Sequence, residues 1–380
     1  MEHKAELGPT FCLRVHSAYR CRHAGACCTA GWAIPVEGPV YERLTVHFAD
    51  RRTHLFATGG PLPEGAAGVL ETRDGACVFF EVDRGNLCAV HRELGAGCLP
   101  VACRQFPRVV LQDARGTLIS LSHFCPTAAS LLCSIEPPDF DVVRAPATIA
   151  LDGEVEGLDA REALPPLLGP GLLTDHEGYD AWERKAIAVL ARGDRTAGQA
   201  LAVVEAATLA VQSWRPGGIS LRDAVIREFD VASARKPDED LDAAGTLDDD
   251  VRVRLALDSI PRGLPCPPLV GRWQDEWRAV SPWWGEADTA VRGYLAARLF
   301  GNWVAYFGQG LHAIVEYLRV ALALVKMEAV RLEAAPSDAR ESPSSPWHIV
   351  NEALRRADLL LVHLSDIRAL SRRLDRSRRD

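Results

Sequence analysis

The sequence predicts a mainly α-helical fold of the α+β class: a small cysteine-rich front of short hairpins and helices, followed by an α-helical region. Three observations carry this expectation. Ten of the eleven cysteines lie between Cys12 and Cys133, leaving only Cys266 in the rest of the 380-residue chain. Short apolar runs separated by Gly, Asp and Asn dominate the front, the pattern of hairpins. Apolar residues at spacings of three and four dominate the back, the pattern of amphipathic helices. With 48% hydrophobic residues, the chain can bury a core, and a disordered or collagen-like class is excluded.

Taken in order, Gly75 to Val90 reads as a hairpin around Asp83-Arg84-Gly85-Asn86, with Cys77 and Cys88 near its open ends. Arg108 to Ser122 reads as a second hairpin, because β-branched and apolar residues flank Asp113-Ala-Arg-Gly116. Pro126 then opens a short helix through Cys133, stopped by Pro137-Pro138. In the back, helices are expected over Tyr179 to Trp214, Leu221 to Ala234, Gly285 to Glu333 and Trp347 to Leu374. The acidic stretch near 236–250 and the Pro/Ser-rich stretch near 334–346 read as exposed linkers. The boundary suggested by cysteine content divides the chain into 1–135 and 136–380. Trp273, Trp277, Trp283 and Trp284 are expected in the core.

Charge narrows the function classes. The net charge is −8, divided as +1 over residues 1–135, −13 over 136–250 and +4 over 251–380. No part is basic enough for general nucleic-acid binding; in a redox or metal-handling module the acidic middle and the amphipathic helices would dock a partner. Met1 to Thr10 lacks the apolar run of a secretory signal, so a reducing cytoplasm is expected. Leu311 to Val330 is interrupted by His312, Glu316, Arg319, Lys326 and Glu328, and reads as a buried helix rather than a membrane anchor.

Cysteine density in a reducing compartment argues for metal binding over a disulfide framework. The candidate ligands are Cys21, the adjacent pair Cys27-Cys28, Cys77, Cys88, Cys98, Cys103 and Cys125; Cys12, Cys133 and Cys266 read as small buried hydrophobes. The chain contains no Cys-x-x-Cys, so a zinc ribbon is weakly supported. Adjacent thiolates suit a polynuclear centre, which favours iron or an iron–sulfur cluster over a single zinc ion. His23 and His91 are spaced to join or replace a thiolate. Arg104 and Arg108 flank Cys103 and can offset thiolate charge. The chain lacks a Rossmann glycine fingerprint, a P-loop, a His-Glu-x-x-His and a nucleophile elbow.

These residues also carry a family resemblance. Tyr19-Arg-Cys-Arg-His-Ala-Gly-Ala-Cys-Cys28, Gly31-Trp32, Ile34-Pro35-Val36, Ala76-Cys-Val-Phe, Leu87-Cys88, Cys103-Arg-Gln-Phe-Pro-Arg108 and Leu121-Ser-His-Phe-Cys-Pro-Thr-Ala-Ala129 together resemble the YkgJ-type cysteine-cluster family, described as zinc- or iron-chelating. The flagellin lysine-N-methylase branch is the most similar, sharing the Trp after the double Cys and a long helical C-terminal part. The resemblance spans about residues 19–132. It implies Cys21, Cys27, Cys28, Cys77, Cys88, Cys103 and Cys125 as the metal ligands. As an alternative function it implies lysine N-methylation of a protein substrate with S-adenosylmethionine. One departure stands out: the family's further Cys between the first and the pair is replaced here by Arg22-His-Ala-Gly-Ala26. Either His23 or Cys98 compensates, or the site has one ligand fewer.

Overall fold

β-branched and apolar residues favour the pleat, and the strands Arg108–Asp113 and Gly116–Leu121 pair antiparallel, from Arg108 opposite Leu121 to Asp113 opposite Gly116. Gly116 turns the chain at φ +127°, where a Cβ would strike the Pro9 carbonyl oxygen. A computed structural model describes residues 8–49, 54–59, 62–133, 139–151, 155–236, 247–264, 273–335 and 345–376. In it this hairpin is the centre of a five-stranded sheet ordered Val142–Arg144, Thr10–Leu13, Gly116–Leu121, Arg108–Asp113, Leu158–Asp159. Thr10–Leu13 and Leu158–Asp159 each join the hairpin in parallel, and Val142–Arg144 joins Thr10–Leu13 antiparallel. Both edge strands come from beyond residue 135.

Strand alternation gives the sheet two buried faces. Leu13, Leu111 and Leu118 meet the helical region, whereas Cys12, Val110, Ile119 and Leu121 meet a smaller core with Tyr19, Cys125 and Ile149. A separate core fills the front around Val36, Leu44, Phe48 and Phe79.

The hairpin expected over Gly75 to Val90 is two hairpins. Phe80–Glu81 pairs with Leu87–Cys88, but Ala76–Cys77 pairs back on Thr72–Arg73. Asp74 and Gly75 both have positive φ, 52° and 78°, the requirement of a two-residue type I′ turn, and Asp-Gly is its preferred sequence. That local turn captures Cys77, which therefore stands opposite Thr72 and not at the open end of the 80–88 hairpin.

Helix dominates: among the described residues 55% are helical and 12% are in strands. Helix starts follow local caps. Asp175 accepts from Gly178 N at the start of His176–Ala191, Ser220 caps Leu221–Ser233 and Ser345 caps Pro346–Asp358. Thr196 and Gln199 form a reciprocal capping box, which splits the span expected from Tyr179 to Trp214 into His176–Ala191 and Ala197–Val211. Gly285 to Glu333 runs through two long helices, Trp273–Leu299 and Leu311–Ala334, with the short helix Val304–Phe307 between them. Trp347 to Leu374 is interrupted by a π-helical turn, Leu359–Leu364, before Ile367–Arg376 begins.

One expected linker is partly helix. Leu247–Leu257 begins inside the 236–250 stretch, with Asp248, Asp249 and Asp250 in its first turn, where they complement the helix dipole. Asp249 lies 3.8 Å from Lys326, and Asp250 accepts from Trp273 Nε1 at 2.6 Å. The acidic run is therefore held by partners that only the fold supplies. Residues 237–246, and most of the 334–346 linker, lie outside the described residues.

Leu311–Ala334 is buried along most of its length, and its charges are matched: Lys326 also sits 5.6 Å over the Trp277 ring, and Glu328 pairs with Arg331 at 2.5 Å. Trp273, Trp277 and Trp284 are core residues, with Trp283 packed against them. Among the described residues no helix is long and apolar enough to cross a membrane.

Candidate metal centre

Gly25, at φ +75°, caps the turn Ala26–Cys28, and a Cβ there would stand 2.7 Å from the Phe80 ring. Glycine thus lets the double-cysteine turn lie directly on the hairpin that ends in Cys88. Cys77 enters from the neighbouring hairpin and Cys103 from the helix Val101–Gln105. Cys27, Cys28, Cys77, Cys88 and Cys103 all belong to the front core. Cys27 Sγ and Cys28 Sγ are 3.9 Å apart.

The thiols influence one another's ionisation. A hydrogen bond from Cys28 pulls the Cys27 thiol below its usual range. Cys28 is pushed far up by its hydrogen bonds with Cys27 and Cys88 and by burial. Burial also pushes Cys103 well up, reinforced by the fields of Cys77, Cys27, Cys88 and Glu37. Five clustered thiols, two of them buried and three part-buried, cannot all ionise beside one another without a compensating cation.

Cys21 and Cys125 form a second group around Tyr19. Tyr19 OH lies 3.8 Å from Cys125 Sγ, and burial together with the fields of Cys125 and Cys21 pushes the phenol far up. Arg108 stands 6.0 Å over the Tyr19 ring and is anchored by the carbonyls of Ile149 and Thr148. His23 N donates to Cys21 Sγ at 3.4 Å, and the His23 ring is 5.2 Å from that of His91. The two histidines singled out by spacing thus meet each other beside Cys21. Cys98 packs at the rim of the front core, where its sulfur accepts from Arg43 Nη1 at 3.2 Å.

Of the remaining cysteines, Cys12 follows the expectation of a small buried group, whereas Cys133 is part-buried. Cys12 is fully buried, its thiol pushed up to about 11 by burial; Cys133 accepts from Asn351 Nδ2 at 3.6 Å. Cys266 lies outside the described residues. All ten described cysteines are free thiols.

Three residues invisible to sequence reasoning organise the Ser-His-Phe-Cys element. Asp358, wholly buried, accepts from Ser122 Oγ at 2.8 Å, His123 N at 2.7 Å and Phe124 N at 3.2 Å. Arg298 Nη1 lies 3.4 Å from its other oxygen. Ser122 Oγ also meets His363 Nε2 at 2.7 Å; because the serine hydrogen goes to Asp358, His363 donates from Nε2. His363 stacks on Trp32 at 4.4 Å, and Trp32 in turn contacts Phe106 and Phe124. The helical region thereby clamps three separate pieces of the cysteine-bearing front.

Glu37 was also missed. It immediately follows Ile34-Pro35-Val36; its Oε1 accepts from Val101 N at 3.0 Å, and its buried Oε2 has no hydrogen-bond partner among the described residues. A carboxylate oxygen left open near Cys103 suits a cation.

Metal–sulfur bonds of about 2.3 Å place tetrahedral ligands about 3.8 Å apart, which the Cys27–Cys28 separation matches. Among the described residues, however, no three cysteine sulfurs lie within 4.8 Å of one another, so the thiols converge without closing into a single-ion shell. One group does meet that distance, Glu205, His312 and Glu316 in the helical region. Its carboxylates are already held by Arg319 and Arg252, which makes it an ion-pair network. Comparison with protein-family models, with curated proteins and with solved structures returns no match for this chain.

Proposed function

We propose that the front of this protein is a cysteine-ligated metal centre, holding iron or an iron–sulfur cluster in preference to zinc. The observation that carries the reading is the convergence of Cys27, Cys28, Cys77, Cys88 and Cys103 in one small core, with the open oxygen of Glu37 nearby. Soft thiols select iron–sulfur, zinc or cuprous centres, and more than four of them exceed what one tetrahedral ion needs. Cys21 and Cys125, gathered around Tyr19 with His23 beside Cys21 and His91 against His23, form a second candidate ligand set. Metal would also draw together a core built largely on two-residue strands, so binding free energy would be folding free energy.

Protein purified without oxygen is expected to contain iron and inorganic sulfide and to show charge-transfer absorption that bleaches on reduction. Stoichiometric zinc without colour would replace the iron reading by a structural one, and protein free of metal would overturn both. Glu37→Gln is expected to weaken metal retention about 10–100-fold in competition with a chelator. Unchanged retention would remove Glu37 from the site.

A further inference from the structure

In the helical region four elements surround a pocket of about 420 Å³, within the range of small-molecule sites. The hairpin of Leu167–Gly169 and Leu172–Leu173 forms one wall. The others are the residues just past Ala197–Val211, the start of Leu311–Ala334 and the last turn of Ile367–Arg376. Hydrogen bonds hold these walls together: Gln212 Nε2 donates to Leu168 O at 3.4 Å, and Gln309 N donates to Asp375 Oδ1 at 2.9 Å. Gly310 has no side chain to hold the hairpin off the helix; a Cβ there would stand 2.8 Å from Gly169 Cα. All the lining residues lie between 169 and 375, so the pocket is built without the cysteine-bearing front.

Pro170, Leu172, Ala313 and Leu374 give the pocket apolar walls. Two charges of opposite sign also line it, Arg215 and Asp375. Arg215 is anchored through Nη1, which donates to the carbonyls of Gln212 and Trp214, and among the described residues it pairs with no carboxylate. The two charges therefore share one pocket without pairing with each other. Asp375 accepts from Gln309 N, and a carboxylate has about four acceptor positions, so it can take an ammonium as well. A lone anion would gain Arg215 but face Asp375, and a lone cation would meet the reverse conflict. A zwitterion satisfies both through charge-assisted hydrogen bonds.

Size narrows the class. An apolar cavity of roughly 150 Å³ takes benzene, and roughly three times that space accommodates two aliphatic side chains with the backbone between them. Gln212 and His312, which also line the pocket, offer polar atoms to a peptide group. We infer that this pocket binds a zwitterionic dipeptide with aliphatic side chains, its carboxylate on Arg215 and its ammonium on Asp375.

Isothermal titration and ligand-observed NMR on the full chain test this with leucyl-leucine, its C-terminal amide, its N-acetyl form and free leucine. Leucyl-leucine is expected to saturate one site per chain, and each of the other three to bind about tenfold or more weaker. Arg215→Ala, at an exposed position, should weaken leucyl-leucine by a similar factor and leave the amide unchanged. Asp375→Asn, which keeps an acceptor for Gln309 N, should weaken leucyl-leucine likewise and leave the N-acetyl form unchanged. Amide or acetylated peptide binding as tightly as leucyl-leucine would overturn the matching charge contact, and leucine binding equally well would overturn the size. Leucyl-leucine binding unaltered in a folded variant would overturn the contact removed, and absent saturation at millimolar peptide would overturn the site.

Discussion

Replacing Arg115 by alanine is expected to lower the free energy of unfolding by about 3–5 kcal/mol, the usual cost of removing one partner from a buried ion pair. Arg115 sits in the turn of the central hairpin, 10% exposed, and bridges Asp113 at 2.7 Å and Glu183 at 2.8 Å, whose side chains are 1% and 2% exposed. Its guanidinium also lies 4.6 Å over the Tyr179 ring. Asp113 accepts from Tyr306 OH, and Glu183 accepts from Gly301 N, so the two carboxylates cannot move away when the cation is lost. Burial already pushes the Glu183 carboxyl up, and Arg115 opposes that rise. Without the arginine, Glu183 takes up a proton more readily. The deficit of the variant should therefore be larger at pH 8 than at pH 6, as read from urea unfolding. A loss under about 1 kcal/mol at pH 8 would mean that the triad is not what joins hairpin to helices. Arg115→Lys should fall between, because it restores charge but not the forked geometry.

Acidification should destabilise the fold by several kcal/mol, beginning near pH 6.5. His16 and His123 are fully buried, with ring nitrogens 3.3 Å apart. Burial, and next the charge of Arg298, lowers His16 to about 3 and His123 well below the usual range. Burial lowers His363 to about 4. All three are neutral in the fold and protonate near 6.5 once unfolded. Below that pH the unfolded chain binds more protons, so stability falls with falling pH until the folded values are reached. Each histidine contributes about 1.4 kcal/mol per pH unit, or roughly 4 kcal/mol per unit for the three. Glu183 and Glu328, whose carboxyls burial pushes up, gain protons in the folded state and offset part of this. Chemical denaturation between pH 7.5 and 5 measures the slope, and His16→Gln should reduce it. A flat profile across that range would show that these rings are not enclosed as neutral groups.

The hairpin over Arg108 to Ser122, the proline-led helix at Pro126 and the helical back are legible in the sequence because each is decided within a few residues. β-branched alternation, caps and apolar spacing act at that range. The Asp74-Gly75 turn was equally local, and its signal lay in the chain; a longer loop further on masked it. Three of the front cysteines arrive together through a contact between distant segments: Gly25 seats Cys27 and Cys28 on the hairpin of Cys88 by lying against Phe80. That Cys21 and Cys125 gather instead around Tyr19 was not legible, because Cys125 packs with Tyr19 in the core against one face of the sheet, separate from the front core that holds the other thiols.

By itself, the sequence determined the class of fold, the order of a hairpin-bearing front before a helical back, and the concentration of thiols in the front third. Only the tertiary structure decided what holds that third in place. Ser122 meets Asp358 and His363 across 236 and 241 positions, and Asp249, within a stretch that composition alone reads as unpacked, finds Lys326. The physical reason is that a buried charge or donor is tolerable only with its partner present. No local propensity states which distant residue that partner is; packing of the helices on the sheet chooses it.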